Sequence, residues 1–480
     1  MQNVKSLVKV KIDAIKTPYL TITIELDKVL NASPLPAAPP PTFIYNLVGP
    51  AVTCKFRRSK LHEYIDVRHK ELGPTFCERL DGNTDMVFTS DPKLMKDLFL
   101  GCEGKYPQHI LPEPWVLYGK LYGTQRGLFF MDGEEWLRNR KVMNKHFLRD
   151  DNETWMNASV EKAVSDFISA WKQKNTPCLV KDLESELYNL SVNVIINVLA
   201  GQDCIEFSNH YDELVSIFSN SVKQVFHNTT KLYGLPLKIC HQLNFKVWRE
   251  FKSSVDLSLS LSTKIVKELI KLKNTSNGLV HKLSKDNMSD VDIIKIVSDL
   301  IIASGDTTAY TSLWILYLLS KHPNVVEEIR HKDRIYINYV IKEAMRLYPV
   351  APFLTRILSK DTLLGEYFLT EQTPIIASIY TAGRDEQYFS NPNSFLPHRW
   401  DRADARKKDL NNHEASAAIP FALGVRSCIG KKLAMLQLNE VLYQVVNNFD
   451  LHSNNSEVKA VTSQILMPDE KINLIITSKI

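Results

Sequence analysis

One long segment limits the folds open to this chain more than any other feature. The apolar residues that follow Ser289 lie on all faces of a helix, and they continue until His322-Pro323 ends the run. Ser289 is a suitable N-cap, with the acid Asp292 three residues later. About 30 residues predict a rod of roughly 45 Å, long enough to cross a whole domain. Because a helix that is apolar all round must be central, we expect a mainly helical domain built around it.

Polar residues interrupt the middle of this predicted helix. The stretch Ala303–Thr308 (Ala-Ser-Gly-Asp-Thr-Thr) places one carboxyl group and three hydroxyl groups where a buried helix would avoid them unless they had a use. Hydroxyl groups can bond back to a preceding carbonyl and bend the helix, which opens a groove. A kink without any catalytic role stays open as the alternative.

A second feature is the loop Phe421-Ala-Leu-Gly-Val-Arg-Ser-Cys-Ile-Gly430, which leads directly into an apolar-periodic segment. Backbone N–H groups and the positive end of the following helix dipole are expected to point at Cys428 and favour its thiolate. Zinc and iron–sulfur clusters need several close cysteines, and the nearest other one is Cys240. Haem needs one thiolate and cations for its two propionates, and Arg426 could supply one of these. The alternative is an inert, partly buried thiol.

The same loop matches the haem-binding signature of the cytochrome P450 superfamily, Phe-x-x-Gly-x-Arg-x-Cys-x-Gly, at every fixed position. This resemblance implies the haem-thiolate fold, mainly α with a minor β region in a single large domain, and a monooxygenase that carries haem b. It implies that Cys428 is the axial ligand of the haem iron and that Asp306 and Thr307 relay protons. Ser304 stands where the family has glycine, and Gly305 follows one residue later. The implied cofactor-binding residues are Trp136, Arg140, Arg356, Phe421, Arg426 and Cys428.

Three further residues resemble a buried structural network of the family. Glu343 and Arg346 are three positions apart, which alone describes a common surface pair. The family's Glu-x-x-Arg helix has a partner arginine, which Arg399 matches, whereas His398 stands where the family usually has glutamate. The resemblance implies a lock on the cysteine side of the haem.

Bulk properties exclude some classes of protein. A net charge of +5 over 480 residues is too small to indicate a nucleic-acid partner, and the seven scattered cysteines suggest no disulfide framework. No window reaches the length of a membrane span.

Residues 1–30 carry several lysines and few acids, which predicts a mitochondrial targeting segment, although a merely disordered tail is the alternative. Residues 31–42 predict a Pro-rich connector and residues 43–480 the monooxygenase domain.

The mitochondrial branch of the family is the closest in pattern. Its members dock an acidic ferredoxin, reduced by a ferredoxin reductase with NADPH, through basic residues that Lys342, Lys431 and Lys432 match. A further lysine expected in that branch is Asn338 here, and plain solvated helix positions are the alternative. The apolar segment Leu232–Trp248 with its lysines predicts peripheral contact with the inner membrane on the matrix side, or else a loop packed on the core.

Several segments resemble the insect mitochondrial ecdysteroid 2-hydroxylases within this branch. The implied reaction is hydroxylation of 2-deoxyecdysone to ecdysone with O2. A mitochondrial-type monooxygenase of another sterol or xenobiotic stays open, as does a haem-thiolate protein that binds a ligand without turnover. The segments are residues 104–107, 111–115, 125–136, 347–353 and 378–385.

Local patterns predict further elements. Asp85–Ser90 alternates like a strand, and residues 336–348 form a helix stopped by two prolines. Residues 151–287 are helical throughout, with turn signals at residues 228–230 and 274–278. Strands are expected near residues 363–369 and 374–380.

Overall fold

The computed structural model describes residues 32–37, 60–79, 84–124, 126–149, 153–201, 205–271 and 277–479. The expected targeting segment and the expected domain start at Phe43 lie outside these residues. Of the predicted connector, residues 32–37 are described, and Ala37 forms an isolated parallel bridge with Cys77. The Ser33 amide donates to the carbonyl of Glu366, and the carbonyl of Pro36 accepts from Cys77. This part of the connector is therefore bound to the body of the domain.

Helices make up most of the described chain. They are α1 (Leu61–Leu72), α2 (Pro92–Gly101), α3 (Glu113–Tyr122), α4 (Gly133–Phe147), α5 (Glu153–Lys172), α6 (Leu183–Ala200), α7 (Ile205–Leu232), α8 (Leu237–Gln242), α9 (Lys246–Lys271), α10 (Leu279–Lys285), α11 (Asp290–Lys321), α12 (Pro323–His331), α13 (Ile335–Leu347), α14 (Ile379–Ala382) and α15 (Lys431–Asn448). Short 3₁₀ turns occur at Pro397–Trp400, Ala405–Asp409 and Ala415–Ala417.

The strands form small sheets at the edge of the helical body. They are β1 (Thr75–Glu78), β2 (Met86–Thr89), β3 (Cys178–Leu179), β4 (Leu354–Ile357), β5 (Thr362–Leu364), β6 (Tyr367–Leu369), β7 (Pro374–Ala377), β8 (Phe449–Ser453), β9 (Ala460–Thr462), β10 (Leu466–Pro468) and β11 (Leu474–Ser478). One sheet has the order β1-β2-β7-β4, a second has β3-β11-β8, and β5-β6 and β9-β10 are hairpins. A mainly α domain with a minor β region is the fold that the sequence predicts.

Helix α11 is the centre of this architecture, as its sequence predicts. Ser289 is its N-cap, and the Ser289 Oγ accepts from the Asp292 amide at 3.1 Å. Its second half is buried almost without interruption, and it packs against α6, α9, α13 and α15. Within the described part of the chain, no helix is both long enough and apolar enough to cross a membrane.

One predicted turn is wrong, and one predicted strand region is confirmed. The turn expected at residues 228–230 lies inside α7, because the hydroxyls of Thr229 and Thr230 donate to carbonyls four residues earlier in the helix. The side-chain amide of Asn228 donates to the backbone carbonyl of Glu250 on α9, so this polar residue joins two helices and does not end one. The strands expected near residues 363–369 are present as the hairpin β5-β6, which turns at Gly365 with a φ of +61°. Residues 272–276 of the second expected turn lie outside the described residues.

Candidate active site

The Cys428 loop is held by its own backbone. The Cys428 amide donates to the carbonyl of Phe421 at 2.9 Å, and α15 begins three residues after the cysteine. Gly424 has a φ of +78°, and a Cβ there would stand 2.2 Å from the carbonyl oxygen of Phe99. Glycine is therefore required for the loop to lie against α2. Protein surrounds the Cys428 thiol on nearly every side, yet the side chain keeps accessible surface.

The electrostatics of this thiol differ from the sequence-based expectation. The amides of Gly430 and Lys431 and the charge of Arg140 do favour the thiolate, as predicted. Burial outweighs them, and the pKa of Cys428 lies above its ordinary value. The loop alone therefore does not ionise the cysteine. A metal cation bound to the sulfur would do so, because coordination removes the thiol proton.

The polar stretch of α11 has one accessible face in an otherwise buried region. Ala303 and Thr307, one turn apart, are exposed, whereas Gly305 and Asp306 are buried. The Thr307 Oγ1 donates to the carbonyl of Ala303 at 3.0 Å, and the Ser304 hydroxyl donates to the carbonyl of Ile301 at 3.0 Å. These are the back-bonds that the sequence predicts, although α11 continues as a helix through all of them.

Asp306 is the buried acid of this stretch. Burial raises its pKa to about 7, with smaller and opposing effects from Lys223 and Glu184. Its Oδ2 has no hydrogen-bond partner among the described residues. A carboxyl group that titrates near neutrality next to an accessible hydroxyl group can hold and release a proton at the working pH.

Trp136 and Arg140 lie on one face of α4 and both contact the Cys428 loop. The Arg140 Nη2 donates to the carbonyl of Ser427 at 2.6 Å, and its Nε donates to the Asn144 side chain at 2.8 Å. The buried ring of Trp136 lies 4.5 Å from the guanidinium of Arg426. The structure thus brings two predicted cofactor residues of α4 to the predicted ligand loop.

Arg356 reaches the same loop from β4 through Glu103, which the sequence analysis did not single out. The Arg356 Nε donates to the Glu103 Oε1 at 2.5 Å, and the Glu103 Oε2 accepts from the Val425 amide at 3.1 Å. Glu103 lies two residues after the end of α2 and more than 250 residues before its partner. Its only signal in the sequence is its place directly before the segment of residues 104–107 that resembles the ecdysteroid 2-hydroxylases.

His109 is the other residue that the sequence analysis missed. Its Nδ1 accepts from the Arg426 Nη1 at 3.2 Å, and burial beside Arg426 and Arg356 lowers its pKa to about 3. The imidazole is therefore neutral with its proton on Nε2, which is the tautomer that this hydrogen bond requires. The buried Nε2 has no partner among the described residues.

The charges around the loop fit a bound dicarboxylate. Arg140, Arg356 and Arg426 are largely buried, and Glu103 is the buried carboxylate that opposes them. Asp132 lies 3.8 Å from Arg426 but is largely exposed. Two positive charges are thus left over, and burial lowers the pKa of both Arg140 and Arg426 to about 10. Buried cations require compensation, which two propionates would supply.

Unpartnered donors lead to the same conclusion. Among the described residues, the Arg356 Nη2, the Arg426 Nε and the His109 Nε2 are buried without an acceptor. Buried donors are normally satisfied, so these three are available to carboxylate oxygens. No group of three His, Cys, Asp or Glu residues that could hold a metal lies within the described ranges. The donor set therefore suits haem, which brings its own in-plane ligands.

A separate cluster lies around Glu343 on α13. Its Oε1 accepts from the Arg346 Nη2 at 2.7 Å and from the Arg399 Nε at 2.9 Å, and the two charged pairs have no exposed side-chain surface. Its Oε2 accepts from the Arg346 Nε and from the Trp400 Nε1, both at 2.9 Å. The three predicted network residues thus share one buried site, with Trp400 as an additional donor. His398 takes no part in these bonds.

The three candidate docking lysines lie on two helices that pack together. Lys342 projects from α13 and is exposed, and Lys431 and Lys432 begin α15. Asn338, where a further lysine was expected, accepts a hydrogen bond from the Asn439 side chain of α15 at 3.0 Å. This position joins the two helices, which gives it a packing role instead of an exposed charge.

Comparison with known proteins gives consistent matches. The family model described as Cytochrome P450 matches residues 39–476. Cytochrome P450 315a1, mitochondrial, from Drosophila melanogaster is 34% identical over 438 residues, which cover 86% of this chain and 83% of the relative. The mitochondrial sterol 26-hydroxylase of Rattus norvegicus is 28% identical over 454 residues, 86% of this chain and 84% of the relative. The mitochondrial cholesterol side-chain cleavage enzyme of Ovis aries is 27% identical over 454 residues, 88% of this chain and 86% of the relative.

Proposed function

The chain belongs to the cytochrome P450 family, and from that premise we propose that it hydroxylates an ecdysteroid, converting 2-deoxyecdysone to ecdysone at carbon 2. The broader class is a mitochondrial-type P450 monooxygenase that acts on steroids and carries cysteine-ligated haem b. The observation that carries the proposal is the accessible Cys428 thiol in a loop surrounded by surplus buried positive charge.

Haem with a thiolate ligand supplies the oxygen chemistry: one atom of O2 enters a C–H bond of the substrate and the other leaves as water, with two electrons and two protons consumed. In this assignment the Cys428 Sγ holds the iron. Arg140, Arg356 and Arg426 compensate the propionates, and His109 adds a neutral donor. Trp136 packs under Arg426 and fixes its direction.

The accessible face of α11 handles the protons. The Thr307 hydroxyl faces the accessible side, and its own proton is bonded to the carbonyl of Ala303. Its oxygen is therefore free to accept a proton that Asp306 holds near neutral pH. This pair gives the chain a means of holding and delivering protons near neutral pH.

The segments that resemble ecdysteroid 2-hydroxylases meet one another in space. The Lys105 Nζ pairs with the Glu134 Oε1 at 2.8 Å, and the guanidinium of Arg126 lies 4.2 Å from the ring of Trp115. The Tyr380 amide donates to the carbonyl of Pro352. Each of these segments thus contacts another of them, and the carbonyl of Met131 accepts a hydrogen bond from Arg426 of the Cys428 loop, which supports a common role in substrate recognition.

We assign electron delivery to a ferredoxin, reduced by its NADPH-dependent reductase. An acidic partner would meet Lys342 and Lys431 on the outer surface of α13 and α15. The mitochondrial relatives support a mitochondrial location. Peripheral contact with the inner membrane on the matrix side is supported by an exposed apolar patch after α7, formed by Ile239, Leu243 and Phe245 with lysines at 238 and 246.

Product analysis tests the proposal. Haem-loaded protein is supplied with mitochondrial-type ferredoxin, ferredoxin reductase, NADPH and 2-deoxyecdysone, and the products are identified by mass spectrometry. Ecdysone is the expected product. Another hydroxylated sterol, formed while 2-deoxyecdysone is left unchanged, would refute the substrate assignment alone. Ligand binding without any product from a panel of steroids would favour a binding protein over an enzyme.

A further inference from the structure

A short turn just before α4 connects the central helix α11 with the Cys428 loop. In residues 127–131 the carbonyl of Gly127 accepts from the amide of Phe130 at 2.9 Å and from the amide of Met131 at 3.1 Å. We call this segment the 127–131 turn. Because its backbone groups bond to one another, its two ends keep a fixed distance and direction.

The first end of the 127–131 turn is bound to α11 through Asp299. The Asp299 Oδ2 accepts from the Gly127 amide at 2.7 Å. Its Oδ1 accepts from the Arg126 Nε at 2.7 Å and lies 2.6 Å from the Arg126 Nη2. The Arg126 and Asp299 side chains are only 9% and 11% exposed. Asp299 lies two turns before Thr307 on the same face of α11, so the anchor belongs to the face that becomes accessible at Thr307.

Close packing against α11 fixes this end further. A Cβ at position 127 would stand 2.8 Å from the carbonyl oxygen of Lys295 and 2.9 Å from the Cα of Ile296. Both atoms belong to the backbone of α11, which cannot rotate away as a side chain can. Glycine is therefore required for the turn to lie directly on the helix, and a larger residue would lift the turn off it.

The other end of the 127–131 turn holds Arg426 of the Cys428 loop. The carbonyl of Met131 accepts from the Arg426 Nη2. The ring of Phe129 lies 4.5 Å from that of His109, which bonds to the Arg426 Nη1 at 3.2 Å. A continuous series of hydrogen bonds thus runs from the Asp299 carboxylate, through the backbone of the turn, to this guanidinium.

We propose that Asp299, acting through the 127–131 turn, positions Arg426 on a haem propionate and thereby raises the reduction potential of the haem. The inference deepens the proposed function and rests on its assignment of Arg426 to a propionate. A cation near the haem favours the reduced iron, which carries one positive charge less than the oxidised iron. Without the anchor on α11, the Met131 carbonyl would no longer fix the direction of the guanidinium. Asp299 and Gly127 act through Arg426 and are positioning residues.

Gly127→Ala is the main test, because it lifts the turn off α11 without changing any charge. We expect the reduction potential of the haem, measured by spectroelectrochemical titration, to become more negative than in the wild type. Transfer of haem to apomyoglobin should become roughly tenfold faster, as expected for a weakened hydrogen bond to a charged group. Asp299→Glu keeps the charge but moves the carboxylate by one methylene group, and it should change both quantities in the same direction.

Gly278→Ala is the matched control for a steric clash with backbone. A Cβ at position 278 would stand 2.3 Å from the carbonyl oxygen of Leu199, so this clash is with the end of α6. We expect the melting temperature to fall in this variant and the reduction potential to stay at the wild-type value. A general loss of stability is thereby distinguished from a displaced arginine.

Arg426→Lys tests whether the effect passes through Arg426. Lysine keeps the positive charge for the propionate but has a single nitrogen in place of the guanidinium fork. Gly127→Ala should therefore lower the potential less in the Arg426→Lys background than in the wild type. Equal shifts in the two backgrounds would mean that the turn acts without Arg426, which overturns the proposal.

The outcomes separate this inference from the proposed function. A wild-type potential in both Gly127→Ala and Asp299→Glu, with faster haem transfer in Arg426→Lys, overturns the positioning role and leaves the propionate assignment in place. An unchanged potential and transfer rate in Arg426→Lys refutes the propionate assignment and this inference with it. A more negative potential in Gly127→Ala, in a protein that makes no ecdysone, supports the inference and refutes only the substrate assignment.

Discussion

Glu343→Gln removes the negative charge that lies between two fully buried guanidiniums. Arg346 and Arg399 both bond to the Glu343 carboxylate, and the Leu396 amide donates to it at 3.0 Å. Glutamine keeps one oxygen acceptor, but its NH2 group replaces the other oxygen. The N–H groups that bonded to that oxygen then face a donor and have no acceptor. Burial opposes the charge of Glu343, yet these partners hold its pKa below the ordinary value, so the carboxylate is ionised.

The expected loss is large because both cations stay buried. Breaking a buried ion pair by removing one partner costs about 3–5 kcal/mol of the free energy of unfolding. An unfolding entropy of about 2.1 cal/mol/K per residue gives about 1 kcal/mol/K for a chain of this length. The melting temperature should therefore fall by about 3–5 °C. Thermal unfolding of the haem-loaded protein, followed by far-ultraviolet circular dichroism, measures it.

Glu327→Gln is the matched control. Glu327 pairs with Arg330 at the same three-residue spacing, on α12, but it is 56% exposed. Exposed pairs contribute about 0–1 kcal/mol, so this variant should melt within about 1 °C of the wild type. Equal losses in the two variants would refute the reasoning, because burial would then make no difference.

Three further predictions follow from the same geometry. The folded state keeps the Asp306 carboxyl protonated up to a pKa of about 7, whereas the unfolded chain ionises it at a lower pH, so the wild type loses free energy of unfolding as the pH rises from 4 to 7. Asp306→Asn has no such loss, and its stability relative to the wild type should therefore rise by up to about 4 kcal/mol over this range. Melting temperatures of both proteins from pH 4 to 7 measure the difference. A difference in melting temperature between the two proteins that does not change with pH would contradict this prediction. Arg356→Gln should release haem at least about tenfold faster in a transfer assay to apomyoglobin, as expected for a lost charged hydrogen bond, whereas Arg79→Gln, an exposed control, should not. Lys342→Glu should raise the KM for ferredoxin and make that KM less dependent on salt concentration, with little change in kcat. Lys70→Glu on α1 is the control and should leave the KM for ferredoxin unchanged.

The sequence predicted the elements whose signals are local. The N-cap at Ser289 and the proline after His322 set the ends of α11, and the structure has both. The predicted helix of residues 336–348 and the strand in residues 85–90 also occur, each within one residue at their ends. Periodicity and caps depend on neighbours in the chain, so they can be read without the fold.

Contacts between distant residues could not be predicted in this way. Glu103 meets Arg356 across more than 250 residues, and Tyr188 packs on Gly305 across more than 100. The expected turn at Asn228 failed for the same reason, because its amide bonds to a different helix. The loop amides that favour the Cys428 thiolate were visible in the sequence, whereas the burial that outweighs them and raises the pKa of Cys428 was not.

The carbon monoxide difference spectrum of the reduced protein tests the central claim most directly, with Cys428→His beside the wild type. The wild type should give a thiolate-type spectrum, and the histidine variant should bind haem and give an imidazole-type spectrum instead. A thiolate-type spectrum that persists in Cys428→His, or a haem-loaded wild type that never shows one, would contradict the assignment of Cys428 as the ligand.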